Sequence, residues 1–424
     1  MLDPKIATVA VLAAAYIGFI FFTKKRTLIA ILGALLLIVL GAISWQDAFY
    51  AINWNIMGIF VGMLIVADIF MDSRVPARLA EIIVDRAPNT AWAILFLCAL
   101  TGFISAFVEN VATVLIVAPV ALSLAKKLKF NPVNMMIAIA ISSNLQGTAT
   151  LIGDPPSMLL GGFAKMSFGD FFFYQGRPSI FFAVEIGAIV SFVVLYLFFR
   201  KLKDKNRAIE IEQVKSWVPT GILVTLIILL AASSFFDADF SCLAGIICMA
   251  AGVVAILWKK LIDKGNIIKS IRALDWDTTI FLVGVFVLVG SLTVNGWIEI
   301  ISNYLSTLVG SNIFLGYTLI VFLSVFLSAF IDNVPFLAAM LPVAVSMSAK
   351  LGINPSLFLF GLLIGASLGG NITPIGASAN IVACSLLKKE GYDISFKEFG
   401  KIGLPFTLTA VTAAYLFVWF IWSK

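Results

Sequence analysis

The chain has 424 residues, 61% hydrophobic and 12% charged, with a formal net charge of +6 and a mean hydropathy of +1.06. A soluble domain carries about twice that charged fraction, so a water-soluble globular fold is excluded. The basic residues sit in short runs between apolar segments, which argues against a nucleic-acid surface, and the complete lack of histidine removes imidazole proton relays and most transition-metal sites.

Apolar runs long enough to cross a hydrocarbon core recur along the chain, at 6–22, 27–43, 178–199, 218–235 and 402–422 among others. The alternating pattern of a membrane barrel is not seen. The first run lacks a basic leader and a small-residue cleavage site, so it reads as a span rather than a removed signal peptide. Lys24, Lys25 and Arg26 follow it and place that loop in the cytoplasm, which puts the N-terminus outside. The second span (27–43) goes out and the third (about 53–71) returns to Arg74, Arg78 and Arg86. Residues 91–125 are flanked on both sides by basic residues and interrupted by Glu109-Asn110. A re-entrant hairpin that turns at that pair keeps both flanks on one side, as a single crossing would not. Residues 131–165 then cross as a helix broken around Gly147–Pro156, and 178–199 returns to the basic loop from Arg200 to Lys215.

The second half runs with the opposite polarity. Span 218–235 leads to an acidic turn at Asp237 and Asp239, and 240–258 returns to Lys259, Lys260, Lys264, Lys269 and Arg272. Span 276–293 exits, and the following 294–313 contain no Lys or Arg. A second hairpin (314–349) therefore opens to the outside and turns at Asp332-Asn333. A second broken helix (354–387) and a last span complete the chain, with the C-terminus outside. Cys98, Cys242, Cys248 and Cys384 all fall in apolar segments without metal-type spacing and read as small packing residues.

The two halves are copies. At a constant offset of 223 positions, Ser105-Ala106-Phe107 falls on Ser328-Ala329-Phe330, Glu109-Asn110 on Asp332-Asn333, and Pro119 on Pro342. Asn131-Pro132 falls on Asn354-Pro355, Gly147 on Gly370, Thr150 on Thr373 and Ile152-Gly153 on Ile375-Gly376. Trp54-Asn55 and Trp276-Asp277 open matching spans. The expected fold is an all-α polytopic membrane protein of about ten full spans and two hairpins. It divides into an extra N-terminal span (1–26), repeat 1 (27–199), a cytoplasmic linker with a connecting span (200–239), and repeat 2 (240–422). Inverted repeats with interrupted helices are the signature of a secondary transporter whose site lies near mid-membrane.

The chemistry concentrates at the breaks and the tips. Glycine and proline preclude continuous helix through 147–156 and 369–378, which leaves free backbone groups beside Thr148, Thr150, Asn371, Thr373 and Ser378. Non-helical backbone at membrane depth is tolerated only where it lines a cavity or is covered by protein. Glu109 and Asp332 are intramembrane carboxylates at repeat-equivalent tips, the natural candidates for proton or ion coupling; capping of the tips is the plainer alternative. Asn110 and Asn333 can offer a carbonyl to an ion or cap the helix that follows. Asp154 can bind amides at the broken helix or ligate a cation. Asp68 and Glu185 lie in apolar spans without repeat partners and rank lower, and Asp277 reads as solvated. No Lys or Arg lies near the polar centre of either hairpin or either broken helix. An anion would thus be held by amides, helix ends and co-bound cations alone.

The segments E-N-V-A-T (109–113), G-T-A-T-L-I-G-D-P-P (147–156), D-N-V-P-F (332–336) and G-G-N-I-T-P-I-G-A-S-A-N (369–380) resemble the ion transporter superfamily. The likeness is to its ArsB/NhaD permease group, which includes arsenite permeases and the P-protein, and more distantly to divalent-anion/sodium symporters. It covers essentially the whole chain. It implies a static scaffold, a mobile part made of hairpins and broken helices, an elevator-like cycle, and two-fold assembly through the static spans. One Na⁺-type site would then involve Asn110, Thr113, Thr148 and Gly153, and its counterpart Asn333, Asn371, Thr373 and Gly376. Glu109 and Asp332 stand where symporters carry serine, and Pro335-Phe336 replaces an Ala-Thr pair, which shifts weight from sodium to proton coupling.

The expectation is an ion-coupled carrier of a small inorganic or weakly anionic solute in the inner (plasma) membrane. Arsenite-type efflux leads, with Na⁺/H⁺ antiport and sodium-coupled carboxylate symport as alternatives. H⁺ or Na⁺ is the coupling ion, and no other cofactor is expected. The partners are the substrate and the bilayer, with a soluble ATPase only for an arsenite exporter. Without histidine, a nucleophile elbow or a metal cluster, an intramembrane enzyme is not expected.

Overall fold

A computed structural model describes residues 3–22, 25–204, 212–237, 239–263 and 266–424. Lys24, Lys264 and the middle of the basic loop (205–211) lie outside the described residues. The chain is a polytopic helical membrane protein, nearly all of it helix. Among the described residues eight helices are long and apolar enough to cross a membrane, or nine if one strongly bent pair counts as a single span.

The first half comprises α1 (Pro4–Phe21), α2 (Arg26–Val39), α3 (Trp45–Ala51), α4 (Trp54–Asp72), α5 (Val75–Arg86), α6 (Thr90–Ser105) and α7 (Asn110–Leu128). It continues with α8 (Val133–Gly147), α9 (Pro155–Ala164), a two-stranded ribbon of β1 (Phe173–Tyr174) and β2 (Arg177–Pro178), and α10 (Ile180–Phe199). The second half comprises α11 (Val218–Ser233), α12 (Leu243–Leu261), α13 (Ile267–Ala273), α14 (Trp276–Val294) and α15 (Trp297–Val309). It ends with α16 (Ile313–Ser328), α17 (Asn333–Leu351), α18 (Ser356–Gly369), α19 (Ser378–Lys389) and α20 (Phe396–Trp422).

Residues 91–125 are not one continuous helix: α6 ends at Ser105 and α7 starts at Asn110. The count of long helices differs from the ten spans expected for a specific reason. α2 and α11 have 14 and 16 residues, about 21 and 24 Å at 1.5 Å per residue, and so fall short of a full crossing. The two broken helices are split into pieces, whereas α7 and α17 each reach crossing length on their own. α15 and α16 form the bent pair, at 120°.

Local chemistry repeats with the helices. Asn89 caps α6 by accepting from Trp92, and Asn312, 223 positions on, caps α16 by accepting from Leu315. Asn131 and Asn354 each accept the amide two residues ahead as the broken helices begin. α7 ends on Lys129 in the left-handed region and α17 on Gly352 in the same conformation. The outer elements correspond in packing too: α1 sits on α2 and α14, and α11 sits on α12 and α4. The extra N-terminal span and the connecting span, set outside the repeats in the sequence reading, thus share a packing likeness. Apolar helices that only pack carry no polar marker to align.

Candidate functional site

Each tip acid closes its own turn. Glu109 accepts from the Ala112 amide at 3.0 Å as the N-cap of α7, and Asp332 accepts from the Val334 amide at 3.1 Å as the N-cap of α17. Of the residues anticipated as caps, the acids take that role and the neighbouring amides do not. Asn110 instead accepts from Ser105 at 2.6 Å and donates to Asn144 at 3.4 Å. Among the described residues Asn333 has no side-chain hydrogen bond.

The helix breaks are fastened to the tips in the same way twice. Thr150 donates to the carbonyl of Ala106, and Thr373 donates to that of Ala329 at 2.6 Å, the same pair of positions shifted by 223. Glycines make the sharp return: a Cβ on Gly153 would stand 2.3 Å from the Gly147 carbonyl oxygen, and one on Gly376 2.5 Å from that of Gly370. The breaks differ at the start of the second half-helix. Asp154 caps α9 through the Ser157 amide at 2.9 Å, whereas Ala377 precedes α19 and provides no side-chain cap.

A chain of amides joins the two halves at the centre. Asn144, on α8, donates to Asn371 at 2.8 Å and to Asn380 at 2.9 Å. Asn380 in turn donates to the carbonyls of Gly370 and Thr373, and Asn371 to that of Ile141. The repeat position of Asn144 is Ser367, whose hydroxyl is buried without a partner.

These elements enclose a cavity of about 40 Å³. Of the anticipated residues, Glu109, Asn110, Asp154, Asp332, Asn333 and Ser378 line it. Thr113, Thr148, Thr150, Asn371 and Thr373 are buried around it, tied to backbone or to neighbouring side chains. Gly153 sits in the backbone return, and Gly376 lines a second cavity of about 370 Å³. Arg26, Asp332, Asn333, Ala377 and Ser378 border both cavities. The larger one runs out to Asp277, whose side chain is 62% exposed, as its solvated reading anticipated.

Arg26 corrects the view that no cation serves the site. Its guanidinium reaches Asp332 at 2.5 Å, Thr278 at 3.0 Å and Asp277 at 3.7 Å, and lies over the Phe281 ring. Asp275 also lines the small cavity and caps α14 through Thr278. Sequence reasoning missed Arg26 because Lys24-Lys25-Arg26 reads as an ordinary cytoplasmic flank. Asn144 left a fainter trace, the polar run Ser142-Ser143-Asn144 inside an apolar helix. Asp68 and Glu185 stand apart: Asp68 is 3.7 Å from Lys259, and Glu185 borders an apolar groove beside Gln146.

With four carboxylates and one guanidinium, the small cavity is acidic on balance. It can admit an anion only together with protons or cations, and it can exchange protons for cations without any anion.

Comparison with known proteins agrees with this architecture. An uncharacterized transporter of Mycobacterium tuberculosis is 29% identical over 98% of this chain and 98% of its own length. One of Synechocystis is 27% identical over 94% of this chain and 93% of its own. The human P protein is 26% identical over 96% of this chain and 59% of its own length. Among solved structures, the Alcanivorax borkumensis YdaH transporter superposes with a TM-score of 0.60 at 14% identity, covering 92% of this chain and 88% of that one. Neisseria gonorrhoeae MtrF superposes with a TM-score of 0.57 at 13% identity, covering 99% and 95%. These two show the fold alone. The family model described as citrate transporter matches residues 16–357 and 337–424, and the chain belongs to that family.

Proposed function

We propose that the protein is a proton-coupled secondary transporter of a small carboxylate anion in the inner membrane. The reading rests on one observation above all: two acid-tipped turns and two helix breaks converge on a single cavity whose carboxylates outnumber its cations four to one. Carboxylates at that depth are unfavourable unless they have partners or take up protons. Their charge must therefore be neutralised as an anion arrives, which couples the two fluxes. The family supports a carboxylate as the anion. The repeated helix boundaries support two inverted repeats with re-entrant hairpins, and an elevator-like movement of hairpins and broken helices against the remaining helices.

The test is uptake of radiolabelled citrate into proteoliposomes under an imposed proton or sodium gradient. Accumulation driven by the proton gradient and abolished by a protonophore is expected. Accumulation that follows sodium alone would overturn proton coupling, and no citrate flux under either gradient would overturn the carboxylate reading. Arsenite belongs in the same screen, because the T-P-I-G-A-S-A segment is arsenite-permease-like.

The acidic balance of the cavity also favours a second reading, Na⁺/H⁺ antiport. Sodium-driven dequenching of a pH dye without any anion would establish it over the first.

A further inference from the structure

Arg26, Asp332, Asn333, Ala377 and Ser378 form the boundary between the two cavities, and Arg26 and Asp332 are the charged pair among them. Glu109, Asn110, Asn144, Asp154 and Asp275 border only the inner one, and Phe19, Asp277 and Ile375 only the outer one. A space of about 40 Å³ accommodates a few waters at most, so a carboxylate solute can enter only if this boundary opens. The guanidinium is the cation the solute would meet there, and a carboxylate of the chain already occupies it. Arg26 starts α2, which packs on α14, while Asp332 belongs to the turn between α16 and α17. The pair therefore joins segments 306 positions apart in the chain.

Resting on the carboxylate reading above, we propose that Arg26 is the anion-binding residue and that Asp332 is an internal stand-in for the substrate carboxylate. Asp332 and the anion compete for one guanidinium. Movement of the Asp332 carboxylate off the guanidinium frees the cation, and the anion takes its place. The competition is specific to Asp332 among the ionisable groups around it. Asp277 lies farther from Arg26, at 3.7 Å, and is solvent-exposed. Asp275 is held by Thr278, Tyr16 of α1 donates to the Pro335 carbonyl, and Glu109 and Asp154 cap helices of the other repeat.

The experiment is equilibrium binding of radiolabelled citrate to the purified full-length protein at pH 8, comparing wild type with D332N, D275N, R26Q and R26K. Comparing variants at one pH cancels the titration of citrate itself. Asparagine retains the capping acceptor, so D332N and D275N should fold. D332N is expected to bind at least about tenfold more tightly than wild type. D275N removes the same charge from the cavity without freeing Arg26, and should gain less than about threefold. R26Q should lose at least about tenfold, with R26K in between because a lysine lacks the planar fork. No gain for D332N at pH 8, or an equal gain for D275N, would overturn the competition whether or not the arginine variants fold. Undiminished binding by R26Q would do the same. No citrate binding by wild type or by D332N would overturn the carboxylate reading and this inference together.

Discussion

The two tips share their architecture and differ in their electrostatics. Both put an acid at the N-cap, both receive a threonine hydroxyl from the break behind them, and both rest on a glycine return. Yet Asp332 is held by Arg26, reaching in from the start of α2, whereas no ion pair reaches Glu109 among the described residues. Where α12 meets the start of α4 in the other half, Asn55, the match of Asp277, is bound by the backbone of Phe240 and Gly245, and among the described residues no basic side chain pairs with the tip. The frame at the two turns is shared, and the charges that face each turn differ.

The largest effect should come from Glu109, the tip acid with no paired cation. Glu109→Gln is expected to reduce proton-driven flux on the order of 100-fold while leaving insertion and the N-cap intact; coupled uptake against quantified protein measures it. Unchanged coupling there would assign the tip a capping role only. Next come the glycine returns. G153A and G376A each place a methyl against a backbone carbonyl and should destabilise by about 1–3 kcal/mol or more, to similar extents, in thermal unfolding in detergent. A large difference between them would break the equivalence of the two returns.

A smaller and deliberately unequal pair sharpens the contrast at the centre. N144A strands acceptors on Asn371 and Asn380 and should cost about 1–3 kcal/mol, whereas S367A removes a hydroxyl with no partner and should be neutral or mildly stabilising. The smallest effects belong to T150V and T373V, each about 0.5–1.5 kcal/mol and matched within error if the two tip-to-break bonds are equivalent. The same unfolding assay ranks all four.

Most of the frame is legible in the chain because it is written in residues with strong local preferences. Paired glycines, prolines and capping side chains recur at one fixed offset, so the tips and breaks can be located before any packing is known. The limits of that reading lie in contacts with no local signature. Arg26 and Asp332 are separated by 306 positions, and nothing around Arg26 distinguishes it from an ordinary membrane-flanking cation. Asp275 sits beside the exposed Asp277 and shares its apparent surface character. Asn144 joins the repeats across the centre, where no periodicity connects it to Asn371 or Asn380. α2 and α11 read as spans from hydropathy, but their length falls short of a crossing.

The most direct test follows proton movement during citrate flux in proteoliposomes containing wild type or the E109Q/D332N double variant. With both acids present, citrate entry should carry protons inward and the lumenal pH should fall in step with uptake. In the double variant any remaining citrate movement should leave the lumenal pH unchanged. Proton movement per citrate equal to that of wild type in the double variant would contradict the account, because the two tips could then face the cavity without carrying the coupling.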